Sequence, residues 1–411
     1  MPISGRCARL LVATLLLSLA ACSLPDERAA LRSSVGGALG SETDAPPSSP
    51  DHARLMAEAM SDVARGSWQL AIDKLEEAVA QEPGDSDAWC MLGLCRQQLA
   101  ATGSSVRREL IRASITAYDE AVRVVPDHPE ARLNRALARE QLGEWSAAKR
   151  DYQELIDLDP PNVSDVYYNL ALMSERTGDV NAAERSYREA VRTNPTNYEA
   201  LHNLAALLTE YGHFAEARSL FERAIDIAPR IAIAHSGLGT LLLSTGDERG
   251  AISEYTLALA RDARSLDATI GLGTAYARLG SFTQAERYYR SALLLAPAST
   301  EARLGLGLTL EEQGEYRSAV TEFIGVLQAD AGNATALTHL GETYFRLGEY
   351  ENAMVIYREL VQFEPNDAVA RLNLGLLYAG QGNTTKAREQ LRVLERLDTE
   401  RAQRLRNVLG K

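Results

Sequence analysis

The sequence predicts an all-α fold, an α-solenoid of helix hairpins, and three regularities indicate it. Glycine recurs every 34 residues from Gly178 to Gly382. Alanine follows each of these glycines by five residues, and leucine precedes each of them by eight. A fixed period of this length is typical of repeat arrays, in which each unit packs against its neighbours. Such an array indicates a binding scaffold.

Residues 1–21 have the layout of an export signal peptide. Arg6 and Arg9 precede an apolar stretch that is too short to anchor a helix across a bilayer. The stretch ends in Leu-Ala-Ala-Cys at residues 19–22, which resembles the lipobox of bacterial lipoproteins. The resemblance implies cleavage before Cys22 and acylation of Cys22, for example with palmitate. The alternative is an ordinary signal peptide followed by a chance cysteine.

The residue after Cys22 bears on the predicted location. By the same resemblance, an aspartate there would favour retention at the inner membrane, but Ser23 occupies the position. We therefore expect a lipid-anchored protein of the bacterial cell envelope, at the outer membrane and facing the periplasm. Residues 22–51 comprise the acylated cysteine and a predicted disordered tether rich in Gly, Pro and Ser. As a flexible coil this tether would span roughly 30 Å.

Residues 52–399 are predicted to form the array. Within each unit two apolar stripes of helical period flank the recurrent glycine, which can adopt the left-handed conformation that ends a helix. A proline such as Pro229 stops the second helix, because proline cannot continue the hydrogen-bond ladder. The frame places ten units near residues 52–85, 86–128, 129–163, 164–197, 198–231, 232–265, 266–299, 300–333, 334–367 and 368–399.

The spacing inside a unit resembles that of a known family. The fifth unit contains, in order, Leu204, Ala205, Leu208, Gly212, Ala217, Phe221, Ala224 and Pro229. These positions resemble the tetratricopeptide repeat (TPR), and the resemblance extends over residues 52–399. It implies a right-handed superhelix of about ten TPR hairpins. Residues 400–411 are then expected to be a capping helix that covers the last apolar face.

The charge balance and the cysteines exclude several classes of protein. The chain carries a net charge of -13, and the loss of Arg6 and Arg9 with the leader would bring it to -15. Nucleic acid is therefore not an expected partner, because phosphate binding needs clustered Lys and Arg. Cys90 and Cys95 are five residues apart on one predicted helix, so they point to different faces and are expected to be small buried residues.

We find no pattern that predicts catalysis or a cofactor. The six histidines are scattered, and none belongs to a zinc helix motif or a nucleophile elbow. His202 and His235 could approach each other across neighbouring units, but polar surface histidines are the expected interpretation. The sequence therefore predicts a protein that is not an enzyme and that has no catalytic residues, no metal and no cofactor.

The TPR resemblance implies a concave groove lined by the first helix of each unit. One position of that helix is Asn134, Asn169 and Asn203 in three consecutive units and Asn373 in the last. An asparagine side chain both donates and accepts, so it can pair with a peptide backbone. The set resembles the asparagine ladder of peptide-binding TPR proteins. The alternative is that asparagine suits a polar helix face.

Other inward positions give the predicted groove its charge. They include Tyr168, His202, Glu175, Arg176, Glu210, Arg278 and Arg346. The Lys and Arg of the carboxylate clamp found in chaperone-binding TPR proteins are absent beside the asparagines. Further inward positions are acidic, namely Glu140, Asp267, Glu301, Glu311, Glu312 and Glu342. Because acidic residues thus outnumber basic ones at inward positions, the groove is expected to favour a basic or neutral segment of a partner protein. The alternative is that the charge serves only solubility.

These features predict a membrane-anchored TPR scaffold for protein–protein interactions in the assembly of an envelope complex, such as pilus, secretion or cell-wall machinery. This link to a pathway is an analogy at the level of fold. One alternative is an accessory protein for polysaccharide export or glycan handling. Another is a recruiter or regulator of an enzyme encoded elsewhere.

Overall fold

The prediction of an all-α fold is confirmed. A computed structural model describes residues 49–103 and 106–410, and within these ranges 21 helices follow one another without a strand. The predicted signal peptide, Cys22 and most of the predicted tether lie outside the described residues. In the described ranges, no helix combines the length and the apolar character that crossing a bilayer requires.

The described residues divide into two compact units, one that ends at Tyr211 and one that begins at Gly212. The described part of the first unit consists of nine helices. They are α1 Pro50–Ala64, α2 Trp68–Gln81, α3 Ser86–Ala101, α4 Arg107–Val124, α5 Pro129–Leu142, α6 Trp145–Asp157, α7 Val163–Arg176, α8 Val180–Thr193 and α9 Tyr198–Glu210. Each helix packs against the next along the chain. Helices α3 and α4 are the longest, and they take up the additional residues of the second predicted repeat.

The described part of the second unit consists of twelve helices. They are α10 Phe214–Ile227, α11 Ala232–Ser244, α12 Glu248–Arg261, α13 Leu266–Arg278, α14 Phe282–Leu295, α15 Thr300–Glu312, α16 Tyr316–Ala329, α17 Ala334–Arg346, α18 Tyr350–Phe363, α19 Ala368–Gly380, α20 Thr384–Leu397 and α21 Thr399–Leu409. From α11 onward, contacts are most extensive within each hairpin, as between α11 and α12.

Short polar side chains start most of the first helices. Asn197 precedes α9 and accepts a hydrogen bond from the Ala200 N–H at 2.9 Å. Ser265 does the same for α13, and Asp367 for α19. A side-chain cap of this kind satisfies an N–H that has no partner in the helix and stabilises the helix by about 0.5–2 kcal/mol.

The recurrent glycines end the first helices as predicted. Gly143 follows α5 with a φ of 78°, and its N–H donates to the Glu140 carbonyl at 2.9 Å. The next N–H, that of Glu144, donates to the Arg139 carbonyl at 2.9 Å. These paired bonds close the helix end, and they require the left-handed conformation that glycine adopts without strain.

The second helices end at the same place whether or not a proline follows. Ala263 and Ala331 occupy the positions where other repeats have proline, yet α12 and α16 have the usual length. At both ends an aspartate side chain organises the turn: Asp262 accepts from the Arg264 N–H at 2.9 Å, and Asp330 accepts from the Gly332 N–H at 3.3 Å. Aspartate turns therefore replace proline there.

Aromatic side chains fill the space between successive hairpins, and glycines make that space. The Tyr255 ring is 2 % exposed and lies between Gly239 and Gly271. A β-carbon at either glycine would fall within 3 Å of the ring, at 2.8 Å for Gly239 and 2.3 Å for Gly271. Burial of such a ring removes about 150–250 Å² from water and is a main source of stability in each hairpin.

A buried ion network joins three helices of the first unit. Asp151 of α6 is 2 % exposed and accepts from Arg135 at 2.6 Å and 3.2 Å and from Arg139 at 2.6 Å. Arg135 also donates to Asp119 of α4 at 2.8 Å. The sequence periodicity gave no sign of this network.

Helix α21 packs against the hairpin formed by α19 and α20, in the segment where the sequence predicts a capping helix. Ala402 and Leu405 of α21 are buried against Leu372 of α19 and Leu394 of α20. Leu405 also lies close to Gly375, at the place where other hairpins receive an aromatic ring. Helix α21 thus covers apolar surface of the hairpin formed by α19 and α20.

Candidate partner-binding surface

The first helices of the first unit bring several predicted groove residues together. The Asn203 Nδ2 atom lies 3.2 Å from the Tyr168 hydroxyl and 3.4 Å from the Tyr187 hydroxyl. The Tyr168 and Tyr187 ring centroids are 5.9 Å apart. The Tyr187 hydroxyl in turn donates to Glu175 at 2.6 Å. We call Tyr168, Glu175, Tyr187 and Asn203 the tyrosine–asparagine cluster.

The hydrogen-bond chain fixes the orientation of the Asn203 amide. An ionised Glu175 can only accept, so the Tyr187 proton points to it and the Tyr187 oxygen must accept from Asn203. The NH₂ group of Asn203 is therefore turned towards the tyrosines. Its Oδ1 atom makes no hydrogen bond to any described residue and is not enclosed. The cluster thus offers a partner an acceptor.

The other three asparagines of the predicted ladder differ in their surroundings. Burial raises the pKa of the Cys90 thiol, and the side chain of Asn134 opposes that rise. The Asn373 Nδ2 atom donates to the Tyr357 hydroxyl at 3.1 Å. Asn169 is half-buried, and its side chain has no hydrogen-bond partner among residues 49–103 and 106–410. Asn169 consequently keeps all its hydrogen-bonding capacity for a partner.

In the second unit, the residues at the repeat position equivalent to Asn203 contact aromatic rings. Gly271 lies against Tyr255, Gly305 lies against Tyr289, and the His339 ring stacks on Phe323 with centroids 5.9 Å apart. In every case the ring is 16 residues earlier in the chain, as Tyr187 is for Asn203. The position therefore has a packing role that the prediction of an asparagine ladder did not include. The constant spacing of 16 residues between the ring and this position was the sequence signal for that role.

Carboxylates dominate the charge of this surface in the first unit. Desolvation and the nearby charge of Glu210 raise the pKa of Glu175, although the Tyr187 hydrogen bond opposes the rise. Desolvation and Asp165 raise the pKa of Glu199. These raised pKa values mean that the ionised carboxylates are destabilised by desolvation and by neighbouring negative charge. A positively charged ligand would stabilise them.

Two predicted groove residues of the first unit supply less positive charge than their types suggest. Desolvation lowers the pKa of His202 to about 4, so this histidine is neutral near pH 7. Arg176 lies 3.5 Å from Glu140, which takes up part of its charge. The surface is therefore acidic on balance.

The predicted groove arginines of the second unit contact their own chain. Arg278 donates to the Leu243 carbonyl at 2.6 Å. Arg346 donates to the Tyr316 hydroxyl at 3.3 Å, and its guanidinium lies 5.8 Å from the centre of that ring. Both contacts join neighbouring hairpins, so these arginines have structural roles.

A shallow cavity adjoins the end of α17. Phe345 and Tyr350 are each 50 % exposed, and their rings meet edge to face with centroids 5.3 Å apart. Glu349, Glu351 and Gln381 also line this cavity. It offers an aromatic and acidic surface beside the helices that were predicted to line the groove.

Comparison with known families identifies the repeats. Sequence profiles described as tetratricopeptide repeat or TPR repeat match seven segments, which together cover more than half of the chain. They are residues 56–98, 105–163, 136–198, 176–238, 270–324, 341–382 and 369–398. No curated protein matches the sequence as a relative.

Several solved structures are similar to this chain. PilF of Pseudomonas aeruginosa is 20% identical with a TM-score of 0.47, over 51% of this chain and 96% of that one. PilW, described as a type IV pilus biogenesis factor, is 23% identical with a TM-score of 0.47, over 49% and 94%. A tetratricopeptide repeat protein from Parabacteroides merdae is 20% identical with a TM-score of 0.44, over 60% and 99%.

Proposed function

Because the chain belongs to the tetratricopeptide repeat family, we propose that it is a scaffold that holds a basic segment of a partner protein on the first helices of residues 129–210. TPR proteins bind peptide or protein partners in a groove. The observation that carries the specificity is the acidic surface around Glu175 and Glu199, whose carboxylates have raised pKa values. A lysine or arginine side chain would supply the missing positive charge.

The hydrogen-bonding groups of the same surface suit an extended backbone. Asn169 can both donate and accept, and the Oδ1 atom of Asn203 can accept a backbone N–H. Such contacts would hold the segment without selecting its side chains. Charge would then set the preference for a basic sequence, and the amides would fix the register.

The first prediction concerns these amides. Replacing Asn169 by alanine should weaken binding of an extended lysine-rich peptide by about 2- to 12-fold, because one neutral hydrogen bond contributes about 0.5–1.5 kcal/mol. Asn203→Ala should have a similar effect on affinity and should also remove the amide contacts to Tyr168 and Tyr187. Fluorescence anisotropy with a labelled peptide measures the affinity, and circular dichroism checks the helix content.

Asn352→Ala is the matched control for these variants. Asn352 is exposed on α18, lies outside residues 129–210 at the edge of the cavity beside Phe345, and donates only to the neighbouring Glu349. Its loss should leave peptide affinity unchanged. If Asn169→Ala and Asn352→Ala bind the peptide equally well, the amides do not contact the partner and the proposed register is wrong.

The second prediction concerns pH. The affinity for a basic peptide should fall as the pH is lowered from about 7 to about 5. The raised pKa values mean that Glu175 and Glu199 take up protons at a higher pH than an ordinary glutamate, and a protonated carboxyl no longer attracts a cation. His202, with a pKa of about 4, stays neutral over this range.

Two glutamine substitutions isolate the contribution of these carboxyls. The double variant Glu175→Gln/Glu199→Gln should bind the peptide more weakly at pH 7, with an affinity that is nearly independent of pH. Affinity of the unaltered chain that rises on acidification would show that the partner is not cationic at this surface.

We also propose that the scaffold acts at the outer membrane, anchored through acylated Cys22, in the assembly of an envelope complex. The Leu-Ala-Ala-Cys sequence behind a basic and apolar leader supports the anchor. Mass spectrometry of the membrane-extracted protein tests it, since a mature chain that starts at acylated Cys22 is expected. Capture of partners with this chain from membranes should yield a pilus, secretion or cell-wall component. Recovery of a glycan or a synthase would favour the alternative functions instead.

A further inference from the structure

We infer that Glu311, His339 and Glu342 form a binding site for one divalent transition-metal ion. The three residues lie in the second unit, on α15 and α17, whereas the peptide surface proposed above is built from residues of the first unit. Each offers one ligand atom, and these atoms lie within 4.8 Å of one another. The site is independent of the proposed scaffold function, because it involves none of the same residues.

The backbone brings the three side chains together. His339 and Glu342 are three residues apart on α17, so they project from the same face of the helix. Glu311 lies near the end of α15 in the preceding hairpin, and its Oε2 atom is 2.7 Å from the His339 Nδ1 atom. Two ligands of one tetrahedral ion are about 3.3 Å apart. An ion could therefore replace the proton between Glu311 and His339 after small side-chain rotations.

Neighbouring groups already hold two of the ligands in place. The Thr343 hydroxyl is shared between the His339 carbonyl at 2.6 Å and the second oxygen of Glu311 at 3.2 Å, and the Phe323 ring stacks on the His339 imidazole. Groups that orient ligands in this way raise the affinity of metal sites. The side chain of Glu311 is 9 % exposed and that of His339 is 33 % exposed, so an ion can reach the site from solvent.

The ligand types indicate the class of ion. One imidazole nitrogen and two carboxylates suit Zn²⁺, Mn²⁺, Co²⁺ or Ni²⁺, whereas Ca²⁺ and Mg²⁺ prefer sites built from oxygen alone. Two carboxylates balance the charge of a divalent ion while the histidine stays neutral. The nearby cation Arg346 donates to the Tyr316 hydroxyl and is also attracted by the charges of Glu311 and Glu342, so a bound ion would share these carboxylates with it.

Other histidines with carboxylate neighbours lack this arrangement. His128 has Asp87 at its Nε2 atom and Glu130 at its Nδ1 atom, each at 3.3 Å, and groups on opposite sides of a ring cannot share one ion. His235 lies 2.8 Å from a single carboxylate, that of Glu254. Within the described residues, the group around His339 is the one in which three such ligands converge.

The test is a titration of the full chain with Zn²⁺ and separately with Mn²⁺, after treatment with a chelator. Isothermal titration calorimetry should show one saturable ion per chain for at least one of the two. The bound ion should also raise the midpoint of thermal unfolding, because it binds the folded state alone. His339→Ala should weaken binding at least tenfold and abolish the rise in midpoint.

His235→Ala is the matched control, since it removes a histidine paired with one carboxylate in the same unit. It should leave the ion affinity unchanged. If His339→Ala proves unstable, Glu342→Gln replaces it, with the absorption spectrum of bound Co²⁺ as the readout. Burial raises the pKa of the Cys95 thiol to about 12, which keeps this competing sulfur protonated.

Two results would overturn the inference. One is the absence of saturable binding of both ions by the unaltered chain. The other is equal binding by the His339→Ala and His235→Ala variants, which would show that ions bind only to scattered surface groups. Neither result would affect the peptide measurements, so this site and the proposed scaffold function can fail separately.

Discussion

Replacing Asp151 by alanine is expected to lower the free energy of unfolding by about 3–5 kcal/mol, because it leaves buried charge without a partner. Asp151 is 2 % exposed and binds both Arg135 and Arg139. Arg135 is itself 9 % exposed, so water cannot replace the lost carboxylate. Asp119, which also binds both arginines, is half-exposed and cannot neutralise two guanidinium groups. Urea unfolding followed by circular dichroism measures the loss.

Two further variants show whether buried charge is the cause. Glu189→Ala breaks an arginine–carboxylate pair in which Arg192 is 68% exposed and Glu189 is 41% exposed. It should cost at most about 1 kcal/mol, as exposed pairs do. Replacing Asp151, Arg135 and Arg139 together by leucine, methionine and methionine should restore much of the stability. Equal losses in Asp151→Ala and Glu189→Ala would refute the proposed role of burial.

The 34-residue period was sufficient to predict most of the helices, because most repeats have the same types of residue at the helix ends and in the helix contacts. Gly143 and the glycines after it end the first helices, and Leu405 covers the last hairpin, as the pattern indicated. The Asp151 network escaped prediction for the converse reason. Its members occur in one place, on three helices, and no repeated position marks them.

The candidate surface could be predicted only in part. The period identifies the face on which Asn203 and Tyr168 lie, but it does not show that their side chains bind each other. Hydrogen bonds between side chains depend on their rotamers and on the axial shift between neighbouring helices. Neither can be derived from residue spacing. The site around His339 was missed for a similar reason: Glu311 and Glu342 lie at different positions of their repeats.

The second large loss of stability is expected at Gly271, where an aromatic ring packs between two repeats. Gly271→Ala should destabilise the chain by about 1–3 kcal/mol, because the new β-carbon would lie 2.3 Å from Tyr255 Cζ. The ring is 2 % exposed, lies against Gly239 on its other side, and has its hydroxyl 3.0 Å from Thr240. It therefore cannot move aside without losing contacts. Alanine has a higher helix propensity than glycine, and this difference stabilises the variant by up to about 1 kcal/mol. The measured loss is therefore smaller than the steric cost of the new methyl group.

Gly380→Ala separates propensity from the steric effect. Gly380 is also helical, but a β-carbon there would have no atom within 4 Å, so this variant should be neutral or slightly more stable. In a Tyr255→Leu background the Gly271→Ala penalty should shrink, since the double variant removes the ring that the methyl group meets. Thermal and urea unfolding of the four chains gives the coupling energy. If Gly271→Ala costs the same stability in the Tyr255→Leu background, contact with the Tyr255 ring is not the reason that glycine is required at residue 271.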